Sequence, residues 1–523
     1  MCGSCATHSR STMFGRLLSG VVIGVEAKLI EVQCDVGGGL PSFQIVGLPD
    51  KEVSESRERI RSAIRNCGLT FPPGRITANL APADLRKQGV GFDLPIALSI
   101  LIASGQIGVP ASRLLIVGEL ALNGDVRSGH GILALALEAS RNKLDGMMVP
   151  ADNAAEGDLV PALSVYPIQS LYEAIAVLQG VWPRFVRDVS AAVAGEMTRR
   201  PVEHDLSEVR GQVAAKRALE IAAAGGHNLL FIGPPGAGKS MLARCMPELL
   251  PPLSFDEALD VTRIYSVAGL LSADEVLVRR RPFRAPHHTI SYAGMVGGGH
   301  GIPGPGEITL AHRGVLFLDE IAEFDRRVLE TLRQPLEDQS VTLARAGVSV
   351  RYPASFTLVG AMNPCPCGHL GDESHPCACA VQDIRRYRRH MSGPLLDRID
   401  LFVDVPRLTP EELMDTPVGE STDTVRERVA RARERQWERA DAAGAASNAR
   451  LGPQEMRIHC RLDAEGSQLL RRAITRFGLS GRGHARVLRV ARTIADLVGS
   501  GDIGAAHLAE ALRYRSASLL RDS

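Results

Sequence analysis

Gly233-Pro-Pro-Gly-Ala-Gly-Lys239-Ser240 lies between the apolar run Asn228–Ile232 and a helix-compatible run that begins at Met241. A G-x-x-x-x-G-K-[ST] spacing placed between a strand and a helix is that of a phosphate-binding loop. Its glycines let the segment Gly233, Pro234, Pro235, Gly236, Ala237 and Gly238 curl as a unit around a β-phosphate, the N–H groups of its non-proline residues turned inward and the prolines contributing shape and no donor. Lys239 is placed to reach the β and γ oxygens and the Ser240 hydroxyl to ligate Mg²⁺. The dipole of the following helix adds to the attraction. The implied cofactors are ATP and Mg²⁺.

Such a loop needs acids. Val315-Leu-Phe-Leu-Asp319-Glu320 is an apolar strand ending in two carboxylates, one for the metal (Asp319) and one to polarise the attacking water (Glu320). Asn363, after the apolar run Phe356–Ala361, has the reach of a polar sensor of the γ-phosphate; a turn-forming Asn-Pro explains it equally. Arg398, in Leu395-Leu-Asp397-Arg398-Ile-Asp400, precedes the strand Leu401–Val405. An arginine there can cross to a neighbouring subunit's γ-phosphate, or make an internal ion pair with an aspartate. Three further arginines, Arg482, Arg486 and Arg489, share a helix face at i, i+4 and i+7. Arg482, near the helix start, is the candidate to fold back over the nucleotide, with the other two left open.

The flanks divide the chain. Residues 1–182 alternate short β-rich runs (Val21–Ile23, Leu29–Val36, Ser42–Val46, Ile76–Leu80, Leu114–Val117, Met147–Val149) with helical stretches Lys51–Asn66, Leu94–Ser104 and Ile132–Lys143. That is an α/β domain. Residues 183–205, polar and interrupted by proline, read as a linker. Residues 206–408 hold short apolar strands suited to a parallel sheet covered on both faces. From residue 409 to 523 the pattern is all-helical. Sixty basic against fifty-nine acidic side chains leave no global field for a polyanion, so nucleic-acid binding would be local. The apolar run Leu94–Ala103 is half the length of a membrane span, and Met1–Thr12 lacks a secretory apolar segment. A cytoplasmic protein with no membrane partner is expected.

Cys365-Pro-Cys367 and Cys377-Ala-Cys379 bring four of the ten cysteines together. They fit a structural Zn²⁺ or free, redox-active thiols, C-x-C being tighter than the common zinc spacing.

Taken with Phe43-Gln-Ile-Val-Gly-Leu-Pro49, Ser54-Glu-Ser-Arg-Glu-Arg59, Gly91-Phe-Asp-Leu-Pro-Ile96, Arg284-Ala-Pro-His-His-Thr289, Pro305-Gly-Glu-Ile-Thr-Leu-Ala-His312 and Ala491-Arg-Thr-Ile-Ala-Asp-Leu497, these motifs resemble the YifB/ComM family of Mg-chelatase-like AAA+ ATPases from about residue 13 onward. The resemblance implies an S5-like (Lon-protease-like) N-terminal domain, a P-loop AAA+ core and a helical lid. The positions of a Lon-type Ser–Lys dyad would fall near Gly91 and Leu133, which can be neither nucleophile nor base, so no peptidase is expected. It further implies a homo-hexameric DNA helicase promoting branch migration during natural transformation, with Arg398 acting across subunits and single-stranded, forked or branched DNA as partner. In the insert Arg284–His312, the residues Arg284, His287, His288, Tyr292, Gly297-Gly-Gly299 and His300 suit a pore loop on a phosphate backbone, or a plain surface insertion. The competing functions are a metal-insertion motor of the magnesium-chelatase type and an ATP-dependent protein remodeller.

Overall fold

The computed structural model describes residues 14–88, 91–161, 163–181, 202–271, 276–299, 301–345, 348–372, 375–391, 393–415, 417, 419–440 and 447–515. Residues 183–201 of the expected linker lie outside these. In the N-terminal part, β1 (Gly15–Ile23) and β2 (Glu26–Gly37) form a long antiparallel ribbon, Gly15 facing Cys34 and Ile23 facing Glu26. With β3 (Ser42–Val46), β4 (Arg75–Ala81), β5 (Leu114–Ile116), β6 (Gly146–Pro150) and β7 (Ser164–Ile168) they make a sheet ordered β3-β4-β2-β1-β5-β6-β7. Period-two alternation sorts its side chains. Leu17, Val21, Ile116 and Met148 face α1 (Lys51–Asn66) and α2 (Asp93–Ala103), whereas Leu18, Val22, Leu115 and Met147 face α3 (Ile132–Arg141). Every residue of α2 is buried, which its nearly all-apolar sequence demands. Its one carboxylate, Asp93, is matched by Arg59 at 2.7 and 3.2 Å and by the Leu120 N–H at 3.3 Å, as a buried charge requires. β7 extends the sheet by one strand beyond Met147–Val149, the last strand expected from the sequence.

In the ATPase part, β8 (Leu229–Ile232), β9 (Phe283–Arg284), β10 (Val315–Leu318), β13 (Thr357–Met362) and β14 (Leu401–Asp404) form a parallel sheet ordered β9-β10-β13-β8-β14. Leu229, Phe231, Phe317 and Val403 are buried on one face, Leu230, Ile232, Leu318 and Phe402 on the other. Burial on both faces is why these strands read as unbroken apolar runs. Between β10 and β13 the chain makes an antiparallel hairpin, β11 (Ser340–Arg345) and β12 (Val348–Pro353). That hairpin was not anticipated, although Val341, Leu343, Val350 and Tyr352 alternate with polar residues.

The C-terminal helices α9 (Thr422–Arg439), α10 (Ala464–Phe477), α11 (Gly481–Leu497) and α12 (Ala505–Arg513) share one core with α5 (Val213–Gly225), α6 (Lys239–Leu249) and one sheet face. They are fixed by a buried polar knot, in which Asp496 accepts from Arg439 at 2.5 and 2.6 Å, from Arg492 at 3.2 Å and from Asn448 at 2.7 Å. The N-terminal domain is joined to the ATPase part at α7 (Phe255–Val267): the Gly131 N–H donates to Ser266 Oγ at 3.0 Å, and Ser266 donates to the buried Glu156 carboxylate. A second junction is apolar. Val25, Ile264, Leu310, Val350 and Tyr352 pack together there, and the Ile302 N–H donates to Gln88 at 3.0 Å nearby.

Candidate functional site

Because β8, β13 and β10 are parallel neighbours ending in line, the loops leaving their C-terminal ends meet. They carry Gly233–Ser240, Asn363 and Asp319–Glu320 respectively. Gly236 and Gly238 take φ of +77° and +89°, the left-handed backbone that turns the loop back on itself at no steric cost to glycine. Lys239, the first residue of α6, is buried, and its Nζ donates to the carbonyls of Gly233 at 2.6 Å and Pro234 at 2.9 Å and to Asn363 Oδ1 at 3.1 Å. Burial pushes the Lys239 ammonium down to about 8, against the opposing pull of Asp319 and Glu320. Asn363 therefore follows directly on the middle strand of the three and holds the loop lysine directly.

Ser240 Oγ donates to Asp319 Oδ2 at 2.7 Å. A neutral hydroxyl oxygen beside a carboxylate is the donor set of a hard divalent cation, so Ser240 and Asp319 are the residues that would hold Mg²⁺, which would neutralise phosphate charge. Glu320 is half exposed and adopts φ 49°, ψ 44°, unusual for a residue with a Cβ. Left-handed backbone in a non-glycine costs of order 1–3 kcal/mol and persists where the surroundings impose it. Here it turns the glutamate away from the course of its own strand. His288 Nδ1, from the insert, stands 3.7 Å from Glu320 Oε2.

The other end of the same sheet holds a cavity of about 930 Å³, lined by Asn228, Phe356, Asp400, Arg398, Arg482 and Arg486 among others. It opens at the N-terminal ends of β8, β13 and β14, a strand length of about 13 Å from the phosphate loop at 3.3 Å per residue. Arg398 donates to Glu337 at 2.6 Å and to the carbonyls of Pro394 at 2.6 Å and Arg333 at 3.1 Å. This corrects two expectations. The partner of Arg398 is Glu337 rather than a neighbouring aspartate, and Arg482 lies at the end of the sheet opposite to its own phosphate loop, so it does not fold back over that nucleotide. Arg486 is buried against Asp400 at 3.4 Å, and Arg489 holds the Leu451 carbonyl at 2.6 and 3.1 Å; both brace the cavity wall. Their shared helix face was legible, their burial was not.

The insert also departs from expectation. Arg284 is held by both oxygens of Glu307 at 2.6 and 2.7 Å and is not free for a phosphate backbone. His312 is buried and pushed down to about 3 by burial and by Arg313 and Arg263; neutral, it accepts the Ser355 N–H at 3.0 Å. Tyr292 is exposed, the His287 and His288 rings lie tilted against each other with centroids 4.1 Å apart, and His300 lies outside the described residues.

The four cysteines converge in spite of the short spacing. Sγ–Sγ separations are 3.4 Å for Cys365–Cys367, 3.7 Å for Cys365–Cys377 and 3.6 Å for Cys367–Cys377, and the Sγ of Cys379 lies within 4.8 Å of the other three.

Comparison with known proteins agrees with this geometry. Residues 205–413 match the family described as magnesium chelatase, subunit ChlI, residues 32–153 that of subunit ChlI of Mg-chelatase, and residues 419–515 its C-terminal part. Competence protein ComM of Haemophilus influenzae is 43% identical over 502 residues, 94% of this chain and 96% of that protein. YifB of Escherichia coli K12, a protein described as uncharacterized, is 45% identical over 498 residues, 94% and 95% of the two chains. The chain belongs to the YifB/ComM family of Mg-chelatase-like AAA+ ATPases. A YifB/ComM protein is an ATPase that uses ATP and Mg²⁺. The 67 kDa magnesium-chelatase subunit of Heliobacterium mobile is 27% identical over 260 residues, 44% of this chain and 37% of that protein. No helix among the described residues is long and apolar enough to cross a membrane.

Proposed function

We propose that this YifB/ComM protein is a cytoplasmic DNA motor that works as a homo-hexameric ring, hydrolysing ATP to drive branch migration of recombining strands during natural transformation. The observation that carries the ring is the position of Arg398. It stands at the end of the sheet opposite its own phosphate loop, so its charge serves a nucleotide only when a second subunit docks there. Asp319 holds the metal, Glu320 polarises the lytic water, Asn363 aligns Lys239 and the γ-phosphate, and the neighbour's Arg398 neutralises transition-state charge. Arg482, exposed in the same cavity, is placed to accompany it.

Support for DNA as the partner comes from coverage. ComM of H. influenzae, named for competence, matches along nearly the whole chain, whereas the chelatase subunit matches under half of it. The N-terminal domain does not by itself separate the two readings, because residues 32–153 match a family that is also described as a chelatase subunit. Exposed Tyr292 and His287 of the insert are the contacts assigned to DNA. The four-cysteine cluster is taken, within the same proposal, as a structural Zn²⁺ site.

The test is ATP turnover with and without forked or four-way-junction DNA, with strand separation followed in the same samples. Stimulation and unwinding, both lost in Lys239→Ala, support the motor. Turnover indifferent to every DNA sinks it, and stimulation by unfolded protein instead points to a remodeller.

A further inference from the structure

The chain between Asn363 and the second cysteine pair is wedged under the phosphate loop. A Cβ placed on Gly368 would lie 2.6 Å from Cδ and 2.8 Å from Cγ of Pro235, and 3.8 Å from Cγ of Asn363. Gly368 itself takes φ +84° and closes a tight turn, its N–H donating to the Cys365 carbonyl at 3.0 Å. The turn that carries the first two thiols therefore touches the loop that carries Lys239, at the only residue type that allows so close an approach.

The sulfurs have the spacing of a metal site and not of disulfides. A tetrahedral Zn²⁺ with Zn–S of about 2.3 Å places its ligands about 3.8 Å apart, and three pairs here stand at 3.4, 3.6 and 3.7 Å. A disulfide would need about 2.05 Å, and all four are free thiols. Backbone N–H groups also surround the sulfurs, those of Gly368 and Leu370 at Cys365 and those of His369 and Ala378 at Cys367. The Cys367 N–H points to Cys379 Sγ at 3.3 Å. Such amide donors balance the charge of metal-bound thiolates.

We propose that zinc held by Cys365, Cys367, Cys377 and Cys379 acts as a clamp on the phosphate loop, so that metal occupancy sets the affinity of the ATPase for nucleotide. The inference rests on the zinc reading given above. With the metal bound, the 365–368 turn is fixed from below and holds Pro235 and Asn363 in the arrangement that positions Lys239. Without it, Asn363 and the turn lose their common anchor, and the loop must be ordered by the nucleotide at the moment of binding, which weakens binding.

Two measurements separate the steps. Metal content of the purified full-length protein is read by elemental analysis, with an expectation of one zinc per chain, lost in the double variant Cys377→Ser/Cys379→Ser; protein isolated without zinc overturns the zinc reading itself. Affinity for a fluorescent ATP analogue is then compared in zinc-loaded protein, in protein stripped by a chelator with its helical circular dichroism unchanged, and after zinc is restored. The expected result is a Kd raised about tenfold on stripping, which is 1.4 kcal/mol, and recovered on reloading. Gly368→Ala keeps every thiol and pushes on Pro235, so it is expected to bind zinc normally and nucleotide more weakly. Zinc present and removable with no change in Kd, together with a normal Gly368→Ala, overturns the clamp and leaves the zinc site standing.

Discussion

The two ends of the ATPase sheet are built from the same five strands and differ in what they do with charge. At the C-terminal end, each functional group is satisfied within its own subunit: Lys239 by two loop carbonyls and Asn363, Ser240 by Asp319. At the N-terminal end, arginines from three parts of the chain surround an open cavity, with Arg486 and Arg489 braced and Arg482 exposed. The first end is shaped for an anion; in the ring proposed above, the second would present cations to a neighbour's nucleotide, and each subunit would carry two complementary halves of a site that only neighbours complete.

Four experiments break or sharpen that contrast. Arg398→Ala is expected to lower kcat by about 10³-fold while leaving ATP affinity unchanged, the magnitude of a lost arginine finger. Because Arg398 also ties Pro394, Arg333 and Glu337, the decisive readout is mixing: a blend of Arg398→Ala and Lys239→Ala subunits should regain turnover that neither shows alone, and no recovery would place Arg398 in a purely internal role. Glu320→Gln should lower turnover by at least about 10²-fold and retain bound ATP; phosphate release at the normal rate would remove Glu320 from the chemistry.

The third experiment concerns pH. Lys239 is depressed to about 8, and phosphate oxygens favour its charged form, so ATP binding takes up a proton above that pH. The Kd for ATP is therefore expected to be flat below pH 8 and to rise about tenfold per unit above it. Lys239→Arg, which stays charged, should abolish that slope even where its affinity is lower. The smallest effect is expected of His288→Ala. A partly exposed pair is worth up to about 1 kcal/mol, so turnover should change by about fivefold at most, and a larger loss would make the insert part of the hydrolytic site.

The contrast also accounts for what could be read from the sequence. The phosphate loop and the acidic strand are contiguous strings, and contiguity survives without coordinates. Asn363 was identified by its place after an apolar strand, and its grip on Lys239 follows from β13 lying between β8 and β10, an order no string of residues displays. The arginine end is different. Helical period shows that Arg482, Arg486 and Arg489 share a face, but which of them is buried depends on Asp400 and the Leu451 carbonyl, far away in the chain. Arg284 was misjudged for the same reason, since both carboxylate oxygens of Glu307 occupy it. In the N-terminal part α1 and α3 were visible from their periodicity and α2 from its apolar run, while β7 and the helix Leu171–Leu178 that follows it were not expected.

The apolar junction of Val25, Ile264, Leu310, Val350 and Tyr352 joins four otherwise separate pieces: the β1–β2 turn, α7, the insert and the β11–β12 hairpin. Gly24 leaves room for Val350 so closely that an added Cβ would stand 2.3 Å from its Cγ1, and the Tyr352 hydroxyl is bonded to the Pro303 carbonyl. In mechanical language the hairpin is a lever seated in a collar, with the N-terminal domain as part of the collar wall. Any movement of this hairpin against the ATPase sheet would have to carry the β1–β2 turn of the N-terminal domain with it or break the packing of Val25 on Val350 and Tyr352.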